Sequence, residues 1–301
     1  MAKSSRKQPG AGPAAAAAPL MGIGLIVLAC LSFSVLDATA KYLSATMPTL
    51  QIVWLRFVSH VVLALVLFRV WKRPSLLKTD RWPLQIVRAV CLLSTTIFNF
   101  LAVRHLQLAE TMAIMFAGPF VITALAGPML GEWAGPRRWA AIIVGFIGIL
   151  VVTQPGVGGM HWAAIYSVAA MIFYALYALL TRQLTATDSS AGMLIISGIV
   201  ASLALAPAGL SVWKAPPDLW TWMLMLSTGV YGAGGHFLFI AAHRIAPAPV
   251  LAPFIYIQIV WMIALGFLVF GDVPTSTTIL GAAIVVASGL YILYRERVKG
   301  T

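Results

Sequence analysis

The chain has 301 residues, 61% of them hydrophobic and only 9% charged, with a mean hydropathy of +0.95. Soluble domains carry about 25% charged residues, so the composition excludes an ordinary water-soluble globule and points to lipid. The net charge of +12 does not mark a nucleic-acid partner, because the basic residues alternate between loops instead of gathering in one stripe.

In chain order, Lys3, Arg6 and Lys7 precede an Ala-rich stretch, and residues 1–19 are expected to form a disordered cytoplasmic tail. Ala38-Thr39-Ala40 resembles a signal-peptidase site, but the apolar run from Leu20 to Leu36 is longer than a usual signal core and reads as a retained first helix. Apolar stretches then predict spans over 20–43, 49–70, 82–105, 108–130, 137–153, 161–183, 190–210, 219–243, 247–270 and 276–294. Lipid offers the backbone no hydrogen-bond partners and the alternating pattern of a membrane barrel is absent, so helices are the default. Cys30 and Cys91 both lie in apolar stretches and define neither a disulfide framework nor a zinc site.

Orientation follows from the loop charges. Lys3, Arg6, Lys7, Arg69, Lys72, Arg73, Lys78, Arg81, Arg137, Arg138, Arg182, Arg244, Arg295, Arg297 and Lys299 fall on one side. Lys214, with Lys41 and Arg104 near helix ends, falls on the other. Both termini are therefore expected in the cytoplasm, with residues 295–301 as a short cytoplasmic tail of a multi-pass protein of the inner membrane.

Sliding the chain on itself by 140 residues brings Arg104 onto Arg244, Ala102 onto Ala242 and Gly131-Glu132 onto Gly271-Asp272. At a shift of 141, Lys41 meets Arg182. Five spans per repeat is an odd number, so the two copies must lie in opposite orientations. The predicted fold class is an all-α integral membrane protein of ten transmembrane helices. They form two inverted five-helix repeats, 20–153 and 161–294, around a central cavity, as in many secondary transporters. The link from Gln154 to Met160 is Gly-rich and uncharged.

Pro119, Gly131-Glu132, Gly145 and Gly148, with counterparts at Gly271-Asp272 and Gly281/Gly289, resemble the drug/metabolite transporter superfamily in its ten-helix EamA-type branch. Arg56-Phe57 and Arg88-Ala89 also fit its pattern, and the resemblance covers approximately residues 20–294. It implies a cavity lined mainly by helices 3, 4, 8 and 9, with helices 1 and 6 contributing. Members carry amino acids, vitamins such as riboflavin, nucleoside-like cofactors and other metabolites.

An ionisable group at membrane depth costs about 2.5 kcal/mol or more on insertion scales, so each requires a reason. Asp37 has Lys41 one turn later, at the acid-then-base spacing of an ion pair. Glu110 opens the fourth helix, where an acid also complements the helix dipole. At the 140 shift these two acids meet Tyr177 and Val250, so neither has an acidic counterpart. Either could bind substrate or exchange a coupling proton; a salt bridge for Asp37 and an N-terminal cap for Glu110 are the structural alternatives. Arg56, one turn before His60, is a charge partner for an anionic substrate group or for an acid of the scaffold. Arg88 lies closer to the cytoplasmic surface and is expected to snorkel there.

His236, after Gly232, Gly234 and Gly235, is a cavity-lining candidate or a helix-to-helix donor. With His243 two turns away, about 10.5 Å by helical rise, the two cannot grip one metal ion. Asn99, Tyr256 and Gln258 are polar groups that either orient a substrate or join helices. Tyr174 and Tyr177 share a helical face, and Phe98, Phe116 and Trp261 lie at comparable depth, a set that suits a flat aromatic cargo or plain packing. Gly118-Pro119 interrupts the fourth helix, and Pro247, Pro249 and Pro253 crowd the start of the ninth. Gly127-x-x-x-Gly131 allows close helix packing, with a homodimer as the alternative use.

The leading expectation is a secondary transporter, not an enzyme, working by alternating access on a small-molecule substrate within the lipid bilayer. There is no Walker A motif to couple ATP directly, and no cofactor, metal or nucleic acid is expected. Riboflavin is the named candidate, and an amino acid or related zwitterion the alternative, with Asp37 and Arg56 supplying opposite charges. An intramembrane enzyme would need a nucleophile, base or metal constellation that is not apparent in the sequence.

Overall fold

The computed structural model describes residues 13–131, 133, 135–153, 161–184, 187–245 and 254–299. The helices are α1 (Pro13–Leu43), α2 (Thr49–Leu67), α3 (Trp82–His105), α4 (Leu108–Met115), α5 (Gly118–Leu130) and α6 (Pro136–Thr153). They continue as α7 (Ala164–Leu184), α8 (Ser190–Ser211), α9 (Leu219–Ile245), α10 (Ile257–Leu265) and α11 (Ser276–Lys299). A π turn, Gly266–Phe270, extends α10. No strand occurs among the described residues. Among the described residues, six segments are long and apolar enough to cross a bilayer: Leu20–Leu43, Thr49–Leu67, Trp82–His105, Leu108–Met129, Ala164–Leu184 and Ser190–Ser211. Shorter apolar helices run over Ile142–Val152, Ile257–Phe270 and Ser276–Tyr291.

Two local departures from the sequence reading have simple causes. Helix α1 starts at Pro13, ahead of the expected Leu20, because alanine is the strongest helix former and Pro suits a first turn. The fourth span is two helices, α4 and α5, parted at Phe116 and Ala117, where Pro119 cannot donate to the ladder. The predicted tail before Pro13, Glu132, the link 154–160, and Pro247, Pro249 and Pro253 lie outside the described residues.

Helix ends are capped by local chemistry. Ser189 accepts from the Gly192 N–H at 3.0 Å to start α8. Asp218 accepts from the Thr221 N–H at 2.7 Å to start α9, and that bond holds its carboxyl below the ordinary range. Gly131 and Gly271 close α5 and the π turn with φ of 75° and 70°, a left-handed backbone that side chains disfavour.

The main helix contacts are α1 with α9, α3 with α7, α2 with α8 and α9, and α6 with α11. One core cluster gathers Leu36, Leu43, Ile52, Phe57, Leu92, Phe100, Leu205 and Met225 from α1, α2, α3, α8 and α9. A second joins Ile114, Phe116, Phe120, Ile149, Met171 and Val285. Glycines permit two close crossings. A Cβ on Gly281 of α11 would come 2.6 Å from the Gly148 carbonyl of α6. A Cβ on Gly229 of α9 would come 2.6 Å from the His60 amide nitrogen of α2.

Candidate functional site

Charged and polar groups from α1, α2, α3 and α9 converge between the helices. Asp37, half-buried on α1, accepts from Asn99 Nδ2 of α3 at 2.9 Å. Arg56 of α2 is only 4% exposed and within electrostatic reach of Asp37. Its Nη1 donates to Thr96 Oγ1 at 3.2 Å, and its guanidinium lies over the Phe57 ring at 4.7 Å. Gly232 of α9 lies close to the guanidinium: its Cβ, if present, would sit 3.3 Å from Nη2. Arg56 Nε is buried with no hydrogen-bond partner. An unpaired donor in an apolar setting is costly, so Arg56 is not fully satisfied by the protein alone.

His236 of α9 packs its ring edge-on against Phe33 of α1, with centroids 5.1 Å apart. His60, one turn after Arg56, is 2% exposed and neither ring nitrogen has a partner. Nothing in the sequence singles out Thr96, and His60 and Gly232 are marked only by their spacing to Arg56 and His236. The spacing of Arg56 and His60 was visible, but nothing in a single sequence shows which groups on other helices leave a donor unpaired.

Tyr174 and Tyr177 of α7 do share a face, with ring centroids 6.5 Å apart. Tyr174 is 38% exposed, and its ring borders Gly118, where α4 and α5 part. The other rings are not assembled with them into one sandwich. Phe98 stacks on Phe173 at 5.7 Å and near Tyr166 at 6.2 Å. Phe116 meets Tyr256 edge-on at 5.0 Å, and the Tyr256 hydroxyl rests against Gly289. Trp261 packs beside Ile26, Cys30 and Ala242, with Nε1 buried and unpartnered. Gln258 is half-buried on α10.

Two expectations are corrected. Lys41 does not pair with Asp37, one turn away on the same helix; its Nζ lies 2.6 Å from Asp272 Oδ2 and 3.0 Å from the Leu106 carbonyl. Arg88 does not snorkel. It is 1% exposed, donates to Gln85 Oε1, Thr181 Oγ1, Ser197 Oγ and the Met193 carbonyl, and faces the Tyr177 ring at 5.3 Å. Acceptors on its own helix and on α7 and α8 take the place of water around the guanidinium. Glu110 makes the cap anticipated as its structural alternative: Oε2 accepts from the Gln107 amide at 3.1 Å in a capping box.

A carboxylate and an incompletely satisfied guanidinium in one enclosed, ring-bordered region can hold the polar ends of a small organic molecule. Among the described residues no cluster of three or more His, Cys, Asp or Glu could hold a metal ion.

The EamA-like transporter family matches residues 20–154 and again residues 161–294. A riboflavin transporter of Vibrio cholerae is 25% identical over 93% of this chain and 95% of its own length. An S-adenosylmethionine uptake transporter of Rickettsia bellii is 27% identical over 92% of this chain and 94% of its own. The pseudopaline exporter CntI of Pseudomonas aeruginosa is 28% identical over 89% and 94%. The crystal structure of another protein aligns with a TM-score of 0.65 over 95% of this chain and 99% of that one; at 17% identity this shows a shared fold alone. With apolar helices of membrane-crossing length and two family matches along its length, the chain is a multi-pass membrane transporter rather than an enzyme, and it belongs to the EamA-like transporter family of the drug/metabolite transporter superfamily.

Proposed function

We propose that this protein is a secondary transporter that carries a small organic metabolite with a flat ring system across the cytoplasmic membrane by alternating access. The observation that carries the reading is the convergence of Asp37, Arg56 and Asn99 near the paired rings of Tyr174 and Tyr177, with Tyr177 in electrostatic reach of Arg56. Riboflavin and S-adenosylmethionine, named for two of the relatives, both contain fused nitrogen heterocycles that stack on aromatic side chains.

The reading includes ten spans in two antiparallel halves, 20–153 and 161–294, with both termini cytoplasmic. Four observations support it. If α1 corresponds to α7 and α3 to α9, the contact of α1 with α9 corresponds to that of α7 with α3. The pairs α2–α8 and α6–α11 then correspond to themselves, as pairs beside a two-fold axis do. Gly131 and Gly271, 140 positions apart in the sequence, share the same left-handed cap. The family also matches once in each half.

Asp37 is the proposed coupling group, since its carboxylate lies among the converging helices whereas Glu110 is engaged with a backbone amide. A second reading, an amino acid or related zwitterion, is favoured by the opposite charges of Asp37 and Arg56. Uptake of labelled riboflavin into reconstituted vesicles tests the first reading. Competition by excess S-adenosylmethionine and by neutral amino acids separates it from the second. Transport of amino acids with indifference to riboflavin would reverse their order, and no flux of any of the three would remove both.

A further inference from the structure

Lys41 lies in the last turn of α1, and two other parts of the chain meet its ammonium group. Its Nζ donates to Asp272 Oδ2 at 2.6 Å and to the Leu106 carbonyl at 3.0 Å, and it lies 4.8 Å from the centre of the Phe270 ring. Asp272 and Phe270 belong to the corner between α10 and α11, and Leu106 to the corner between α3 and α4. Gln107 adds a direct link between those corners by donating its Nε2 to the Val273 carbonyl at 3.3 Å. The ion pair is shielded, with side-chain exposures of 16% for Lys41 and 24% for Asp272, so salt and water weaken it less than a surface pair.

Its position relative to the candidate site gives it a use. Asp37 lies one turn inward of Lys41 on α1, and Asn99 two turns inward of Leu106 on α3, about 6 Å and about 10.5 Å by helical rise. The tie therefore sits over the Asp37–Asn99 hydrogen bond at this end of the bundle. A solute moving between Asp37 and the face where α1 ends has to pass between segments that Lys41 holds together.

We propose that the Lys41–Asp272 pair is the latch that closes this face, intact while the site is shut off from it and broken each time the site opens to it. The proposal rests on the alternating-access reading, under which this is the outer face. Lys41 is then a gating residue, not a ligand of the cargo. The Leu106 carbonyl and the Phe270 ring give the ammonium partners that hold it in register, so that the pair can close again once parted. Asp272 is supported in the same way, since its amide donates to the Gly266 carbonyl at 3.0 Å beside the left-handed Gly271.

The test uses the full-length chain in vesicles, with Cys30 and Cys91 replaced by Ala and Asn99→Cys as a reporter. Labelling by a membrane-impermeant maleimide from the face of Lys41 reads whether the passage is open. Lys41→Met and Asp272→Asn are each expected to raise the labelling rate about fivefold or more. The swapped pair, Lys41→Asp with Asp272→Lys, is expected to bring it back towards the parent rate, which a fold defect would not do. Labelling that is unchanged by the neutral variants, or that the swapped pair does not lower, would overturn the latch.

Flux of labelled riboflavin and S-adenosylmethionine through the same latch variants, without the reporter, keeps the two ideas apart. A chain that opens and shuts by maleimide labelling but carries neither compound retains the latch and loses the cargo reading.

Discussion

Asn99 on α3 holds its Nδ2 2.9 Å from Oδ1 of Asp37 on α1, and so fixes the orientation of a carboxylate that also feels the guanidinium of Arg56 on α2. Three helices thus meet in this polar centre. A carboxylate placed there without such partners would be expelled or neutralised. With them it stays available to a proton or to a cationic part of a cargo.

Asp37→Asn removes the charge while keeping the shape and an acceptor for Asn99. Transport is expected to fall at least about tenfold, equivalent to about 1.4 kcal/mol in the barrier. The amount of folded protein in the membrane should stay the same. Flux per vesicle, normalised to protein recovered by size-exclusion chromatography, checks this. Flux equal to the parent's would reject a transport role for the carboxylate.

Arg88 is a scaffold residue. Four groups on α3, α7 and α8 accept from its guanidinium, and removing it leaves Ser197 and Gln85 buried without that donor. Arg88→Met is expected to destabilise the protein by about 2–3 kcal/mol. Arg88→Lys should recover only part of the loss, because an ammonium cannot reproduce the planar fork. Unfolding in detergent measures both; a loss in transport without a loss in stability would contradict the assignment.

The crossing of α6 and α11 depends on the absence of a side chain at Gly281, where a Cβ would lie 2.6 Å from a backbone carbonyl that cannot rotate away. Gly281→Ala should cost about 1–3 kcal/mol through forced separation of the helices. Gly24 in α1 is the contrasting case, with no atom within 4 Å of an added Cβ. There, Gly24→Ala should stabilise by about 0.5–1 kcal/mol, since alanine loses less backbone entropy in a helix. Unfolding midpoints of the two variants should move in opposite directions.

Asp218 links stability to pH. Its folded-state pKa is depressed by the bond from the Thr221 amide, so the ionised form favours the folded chain. That contribution is complete above the unfolded value of about 3.9 and is lost as pH falls through the lower folded value. Between pH 6 and 3, Asp218→Ala should therefore approach the parent in stability as acid protonates the parent's cap. A constant gap across that range, read from unfolding temperatures, would contradict the assignment.

The course of the helices was legible in advance because hydropathy is a local property. The stretches expected at 82–105 and 190–210 are α3 (Trp82–His105) and α8 (Ser190–Ser211), and Pro119 marked the break between α4 and α5. The pairing of charges was not legible in the same way. Spacing offered Lys41 to Asp37, but a lysine four residues from an acid on one helix is only one of its choices. Asp272, 231 positions away, takes it in the fold, aided by a carbonyl and a ring that no periodicity reveals. Arg88 repeats the point: its depth from the helix end suggested water, whereas Gln85 on its own helix and groups on α7 and α8 accept from its guanidinium.

By itself the order of residues determined that this chain belongs in lipid, where its apolar stretches lie, and the family whose glycines and prolines it carries. Those properties follow from transfer energies and backbone geometry, which act within a few residues of one another. The tertiary structure alone decided which buried groups satisfy one another and which, like Arg56 Nε and both nitrogens of His60, are left unpaired. Hydrogen bonds and ion pairs form over about 3 Å, and only packing brings residues from distant helices that close.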